Sequence, residues 1–359
     1  MTYSVCAVMI VKDEEKNIKK CIDSFCDYVD KVVVVDTGSS DSTLKLLSDF
    51  KNVEVQYFEW CFDFSSARNF SLNVVDSNWY FVIDADEEVV DGWHFFDVLR
   101  NTVPDFVGLV NILNMTSSDT LMNGVTSNYV SRVLPCGIKY EGVVHEQPVH
   151  NLSVLKTPLV IKHSGYFDCV NSKKFQRNIK LLDAAILKDP IDIRLKFQLG
   201  MQYESIGDFK KALANYDIVL NVDDVYKFPI YPSLVSRMIF CLKSLHEFEK
   251  AIVLASNHMP NLEESPDFYF ALGDLFLDYI AVNADMAETY LPMIESAWLK
   301  CLSIGDSASI EGSVIGRGSF LAAHNLSILY EFTGMKEKSD IYKQLSERKL
   351  KETLTGLNI

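Results

Sequence analysis

The sequence predicts an α/β domain followed by an all-α half. From Ser4 to Ile83, short apolar runs alternate with segments of helical spacing, the pattern of a mostly parallel sheet with right-handed crossovers. Near Phe175 this alternation stops and helical spacing takes over. The composition, 48% hydrophobic and 23% charged over 359 residues, suits a globular chain with a sizeable core and more than one domain. Boundaries are expected at 1–170 and 171–359.

Taken in order, Ser4 to Val11 is a short continuous apolar run and reads as a buried strand. Glu14 to Phe25 carries apolar residues at 18, 21, 22 and 25, one helix face. Lys31 to Val35 is a second strand ending at Asp36, and Thr37 to Thr43 is a loop of turn and cap residues. Leu44 to Phe50 reads as a short helix, Val53 to Trp60 as a third strand and Phe64 to Val75 as a helix carrying Arg68 and Asn69. Trp79 to Ile83 is the fourth strand, running into Asp84-Ala85-Asp86-Glu87-Glu88. If the chain stays extended there, Asp84 and Asp86 share a face and repel each other unless a cation intervenes. Hard oxygen ligands of this kind suit Mg²⁺ or Mn²⁺. Glu87 and Glu88 read as a solvated turn. Val107 to Leu113 and Tyr129 to Leu134 are further strands.

Ligands of such sheets collect outside the carboxyl ends of the strands. Lys12-Asp13-Glu14, Asp36-Thr37-Gly38 and Asp84-Ala85-Asp86 all fall there, so three polar clusters are expected around one crevice. No GxGxxG follows the first strand and no GxxxxGK[ST] occurs, which removes the usual dinucleotide and P-loop fingerprints. Asp36 suits a base or ribose contact or a cap for the next helix. Arg68 suits a base or phosphate, or is a surface charge.

The net charge of −15 argues against nucleic acid as a partner. The first residues lack a basic segment and no apolar run reaches about 18 residues, so neither a signal peptide nor a membrane span is expected. Eight scattered cysteines without a CxxC read as buried free thiols in a reducing, cytoplasmic setting.

Four stretches together resemble glycosyltransferase family 2 with its GT-A (Rossmann-like) fold. They are Met9 to Glu15, Val35 to Thr43, Ala67-Arg68-Asn69 and Asp84-Ala85-Asp86-Glu87, the last matching a DxD motif. The resemblance covers about residues 3–165. It implies inverting transfer from a nucleotide sugar, usually a UDP-sugar, bound by Val11, Asp13, Glu14, Asp36, Gly38, Arg68, Asp84, Ala85 and Asp86. It places Asp36 at the base, Arg68 at the nucleotide and Asp84 on the ribose side. Asp86 then binds Mn²⁺ or Mg²⁺ at the diphosphate, and His163, in Ile161 to Tyr166, joins the metal. In Gly142-Val143-Val144-His145-Glu146, similar to the G-x-x-H-E of one subgroup, Glu146 is the expected general base, with His145 as second candidate. The plainer alternative has Glu146 bracing the site by pairing with Arg132.

In the second half, Leu199-Gly200-Met201-Gln202-Tyr203 with Gly207, Ala212 and Tyr216 resembles the tetratricopeptide pattern. It restarts at Phe270 to Phe276 and at Leu326 to Tyr342, with a degenerate copy over Phe240 to Ala255. Such helix pairs bind peptides on a concave face, or serve here as a lid or homodimer contact. Ile304 to Ser319, rich in glycine, is the expected mobile loop. A family 2 domain followed by tetratricopeptide-like helices is similar to bacterial S-/O-glycosyltransferases that modify bacteriocin peptides of the sublancin type. This implies a small peptide acceptor, modified on Cys or Ser/Thr, with a lipid or saccharide acceptor as alternative. A nucleotidyltransferase and a non-catalytic scaffold are the readings from other classes.

Overall fold

The computed structural model describes residues 2–115, 125–163, 172–306 and 313–356. The chain divides into two compact units, residues 1–117 with 128–169, and residues 118–127 with 170–359.

In the first unit, β1 (Val5–Val11), β2 (Lys31–Asp36), β3 (Val53–Tyr57) and β4 (Trp79–Val82) alternate with α1 (Ile18–Asp23), α2 (Thr43–Leu47) and α3 (Phe64–Asn73). They are joined by β5 (Glu87–Asp91), α4 (Phe95–Arg100), β6 (Phe106–Met115), β7 (Val125–Pro135) and β10 (Ser153–His163). The sheet order is β3-β2-β1-β4-β7-β6-β10-β5. β1 pairs in parallel with β2 and β4, and β2 with β3. β7 runs antiparallel to β4, and β10 lies parallel to β6 and antiparallel to β5. A separate hairpin joins β8 (Lys139–Glu141) to β9 (Gln147–Val149).

The early strands are apolar throughout because both sheet faces are covered. Ala7, Met9, Val32, Val34 and Phe81 enter one cluster, and Cys6, Val8, Val33, Val35 and Val82 the other. The first helix is shorter than its apolar spacing suggests. Asp13 takes a left-handed conformation (φ 55°). The amides of Glu14 and Glu15 donate to the side chains of Thr43 and Asp41 instead of opening a helix.

The DxD segment departs from the extended reading. β4 ends at Val82, and the chain turns at Ala85–Asp86, closed by the Glu87 amide donating to the Asp84 carbonyl at 3.1 Å. Asp84 and Asp86 therefore do not share a strand face, and each finds its own partner. β5 then runs from Glu87 and pairs with β10, so Glu87 is 4% exposed rather than part of a solvated turn.

The second unit is helical: α5 (Ser172–Lys188), α6 (Ile193–Ser205), α7 (Phe209–Leu220), α8 (Tyr231–Ser244), α9 (Phe248–His258), α10 (Pro266–Val282), α11 (Ala287–Ile304), α12 (Phe320–Phe332) and α13 (Lys336–Gly356). Helices α6 to α13 form four successive hairpins packed one on the next, a tetratricopeptide-like stack. Two glycines make its close crossings. A Cβ on Gly200 would come within 2.4 Å of the Tyr216 ring, and one on Gly273 within 2.4 Å of Trp298. Among the described residues no helix is long and apolar enough to cross a membrane.

Of the expected mobile loop, residues 307–312 lie outside the described residues. At its edges Asp306 accepts from the amides of Gly316 and Gly318, both at 2.9 Å, and from the Ser319 hydroxyl. The glycine-rich turn is thus occupied by the chain's own carboxylate. The described cysteines are all free, but Cys61 and Cys136 are exposed, so the thiols are not uniformly buried; Cys169 lies outside the described residues.

Candidate active site

The carboxyl ends of β1, β2 and β4 lie side by side: Val11 is in register with Asp36, and Val8 with Val82 two residues before Asp84. The loops after β1 and β2 are laced together. Asp13 accepts from the amide and hydroxyl of Ser40, and Ser39 Oγ accepts from the Asp13 amide. Glu15 accepts from the Ser42 amide. Asp36, 3% exposed, accepts from the amides of Gly38 and Ser39 at 3.0 and 3.1 Å. Its carboxylate therefore shapes the loop after β2 and does not cap α2, whose first amide, of Thr43, donates to Asp41. Gly38 stands at φ 103°, a conformation that strains other residues.

Arg68 is no surface charge. It is 5% exposed and projects from α3 between two carboxylates. Nε donates to Glu146 Oε1 at 3.0 Å, and Nη2 pairs with Asp84 Oδ1. Arg132, on β7 and 8% exposed, donates through Nη2 to Asp84 Oδ2 and to Glu87 Oε1, both at 2.6 Å. Glu146 is thus braced by Arg68 and not by Arg132, whose guanidinium is taken by Asp84 and Glu87. Glu87 also accepts the Asp84 amide at 2.8 Å. Among the described residues, Arg68 Nη1 and Arg132 Nε of this cluster find no hydrogen-bond partner.

Electrostatics follow from this packing. Burial opposes the charge on Asp84, but the guanidiniums of Arg132 and Arg68 prevail and hold its carboxyl well below the usual range. Burial pushes Glu87 up to about 7; Arg132 works against that shift and the charge of Asp84 with it. Neighbouring carboxylates on one turn thus hold protons very differently.

Asp86 faces the other way. Its Oδ2 lies 3.1 Å from His163 Nε2, while Asn114 Oδ1 lies 2.8 Å from Nδ1. Burial disfavours the charged imidazole, but the hydrogen bond and charge of Asp86 outweigh it and raise the His163 pKa. Among the described residues no group of three His, Cys, Asp or Glu gathers at metal-holding spacing. The donor set, one carboxylate and one imidazole, fits a divalent ion that keeps waters and takes its remaining ligands from a diphosphate.

Glu146 and His145 sit in the turn joining β8 to β9. Gly142 opens that turn at φ 105°, and His145 is exposed at φ 55°. Asn69, next to Arg68, clips the hairpin to α3: its amide donates to the Tyr140 carbonyl at 2.9 Å and its oxygen accepts the Tyr140 amide at 2.7 Å. The Phe64 amide donates to the Val143 carbonyl at 2.9 Å. The structure thus brings Arg68, Asp84 and Glu146 together and joins Asp86 to His163. Asp13, Glu14 and Asp36 serve the adjoining loops, while Val11 ends β1 and Ala85 lies in the turn between the two aspartates.

Sequence reasoning did not single out Glu87 or Asn114 for the site, and it named Arg132 only as a partner of Glu146, not of Asp84 and Glu87. Arg132 and Glu87 left a trace. An arginine inside the apolar run Tyr129 to Leu134 is rarely buried without an acidic partner. Glu87 alternates with buried Val89 along β5, as a residue facing the core would.

Residues 6–95 match the profile of Glycosyl transferase family 2. The SPbeta prophage-derived glycosyltransferase SunS of Bacillus subtilis is 27% identical over 238 residues, covering 60% of this chain and 54% of that one. A TPR repeat-containing protein of Synechococcus elongatus is 28% identical over 221 residues, covering 57% of this chain and 53% of that one. The chain spans about half the length of the curated relatives it matches. Among solved structures, MamA aligns at a TM-score of 0.38 with 16% identity, over 53% of this chain and 96% of that one. The Mycobacterium tuberculosis glucosyl-3-phosphoglycerate synthase complexed with Mn²⁺, UDP and phosphoglyceric acid aligns at 0.26 with 21% identity, over 31% and 43%. Neither score carries an argument about function. The match to glycosyltransferase family 2 is confined to residues 6–95, within the first unit.

Proposed function

We propose that the protein is an inverting, metal-dependent glycosyltransferase. It moves a sugar, glucose or N-acetylglucosamine, from a UDP-sugar to a Cys or Ser/Thr side chain of a small bacteriocin-like peptide. The observation that carries this reading is the linkage of Glu146 to Asp84 through buried Arg68, on the same edge as the Asp86–His163 pair. A base and a donor site are thereby tied to one rigid frame.

In this reading Asp86 and His163 hold Mn²⁺ or Mg²⁺ on the donor's diphosphate, with Asp84 and Arg68 on the nucleotide side. When bound, the cation offsets the charge that develops on the departing UDP. Asn114 fixes the His163 ring by its Nδ1 side, so that Nε2 faces Asp86. Glu146 takes the proton of the acceptor as the sugar carbon is attacked from the face opposite the diphosphate. Arg68, paired with Glu146 at 3.0 Å, holds that carboxylate in place. The peptide acceptor rests on the resemblance to sublancin-type enzymes and on the tetratricopeptide-like stack. A lipid or saccharide acceptor would use the same donor chemistry. A nucleotidyltransferase is disfavoured because the loop after β1 is acidic and tied to the loop after β2, not free to cradle a triphosphate.

The test is incubation with a panel of nucleotide sugars and Mn²⁺, with free UDP measured. Release of UDP from UDP-glucose or UDP-N-acetylglucosamine is expected; failure to bind any nucleotide would sink the reading. A mass gain of about one hexose on a candidate peptide separates a peptide acceptor from a lipid.

A further inference from the structure

Five charged groups form an unbroken chain through the first unit: Glu87 on β5, Arg132 on β7, Asp84 in the turn after β4, Arg68 on α3 and Glu146 between β8 and β9. Glu87–Arg132 and Arg132–Asp84 are each linked at 2.6 Å and Arg68–Glu146 at 3.0 Å, with the Arg68–Asp84 contact between them. Glu87, Arg132 and Arg68 are 4%, 8% and 5% exposed, so water screens the Arg132–Glu87 link less than it would at a surface. Arg132 takes Asp84 Oδ2 and leaves Oδ1 to Arg68. The Asp84 carboxylate would otherwise turn about its last torsion, and Arg68 would follow it away from Glu146.

We infer that Arg132, anchored by Glu87, is a positioning residue for the transfer: it fixes Asp84, and through Asp84 and Arg68 it sets the orientation of Glu146. This deepens the proposed function and rests on that reading. Arg132 touches no reacting atom in this account. Its contribution is the geometry of the base, which a residue serving only the fold would not control.

The test is a double-mutant cycle on turnover of the UDP-sugar, with Arg132→Met, Glu146→Gln and the two combined; Arg132→Lys adds a conservative control. Thermal melts and UDP binding check the fold of each variant. In the parent background Arg132→Met lowers kcat about 10–100-fold, the worth of a lost charged hydrogen bond. Arg132→Lys, which keeps one donor, recovers part of it. In the Glu146→Gln background Arg132→Met costs less than about threefold more, since the group it positions no longer acts as base. Independent, multiplying losses would overturn the inference, as would parent-like turnover of Arg132→Met. If Arg132→Met does not fold, Glu87→Gln, which keeps the shape, takes its place in the same cycle with the same two outcomes. An inactive parent refutes the transferase reading itself and this inference with it, whereas an active parent with independent losses refutes only the inference.

Discussion

Glu146 Oε1 lies 3.0 Å from the Nε of a buried arginine, so its carboxylate is held in one orientation. Glu146→Gln keeps the shape and removes the base. Turnover on a Ser or Thr acceptor is expected to fall by about 10²–10⁴, with UDP affinity unchanged, as steady-state rates and calorimetry would show. On a Cys acceptor the loss is smaller, because a thiol with a pKa near 8.5 needs less help to ionise. A weaker grip on UDP in this variant would place Glu146 in donor binding instead. At this scale the sequence pointed to Asp84, Asp86, Glu146 and His163 because each belongs to a short ordered motif. It did not reveal their partners. The burial of Glu87 depends on β5 pairing with β10, and that of Arg132 on β7 pairing with β4, contacts between distant parts of the chain.

The elements that carry these side chains have their own fastenings. Asn69 joins α3 to β8 by two hydrogen bonds with the Tyr140 backbone. Asn69→Ala leaves that backbone unpaired, at a cost of about 1–3 kcal/mol. Amide exchange at Tyr140 should accelerate and turnover should drop, while the parallel strands β1, β2 and β4 keep their protection. Unchanged exchange at Tyr140 would show that the hairpin holds without the clip. The strands and helices up to β4 were legible because their apolar runs and helical spacing are local. The turn at Ala85–Asp86 was not, since four acids within five residues look the same extended or folded, and long-range pairing decides between them. In the helical half, Gly200 and Tyr216 were legible as parts of a tetratricopeptide-like pattern, and a Cβ on Gly200 would come within 2.4 Å of the Tyr216 ring. Gly200→Ala forces the Tyr216 ring aside and should destabilise that unit by about 1–3 kcal/mol in urea melts. A neutral or stabilising effect would contradict this packing.

Over the whole molecule, the charge that the sequence reports as −15 is not all paid out on the surface. Burial pushes Asp274, on α10, up to about 6, with Lys243 and Arg317 working against it and Asp278 with it. Between about pH 4 and 6 the folded chain therefore binds more protons here than the unfolded one, and stability contributed by this group falls as pH rises through that window. Asp274→Asn should be more stable than the parent at pH 7–8 by about 1–2 kcal/mol, with no gain at pH 4, in denaturation curves at the two pH values. A gain of equal size at both would assign the effect to something other than ionisation. The central proposal is that three strand ends and β10 together would form one site for a metal and a nucleotide. Its most direct measurement is calorimetric titration of UDP into the protein with and without Mn²⁺, for the parent and for Asp86→Ala. Mn²⁺-dependent UDP binding by the parent, lost in Asp86→Ala while the thermal melt stays the same, is the predicted result. Equal Mn²⁺-dependent binding by both proteins would contradict the assignment of Asp86 and His163 to the metal.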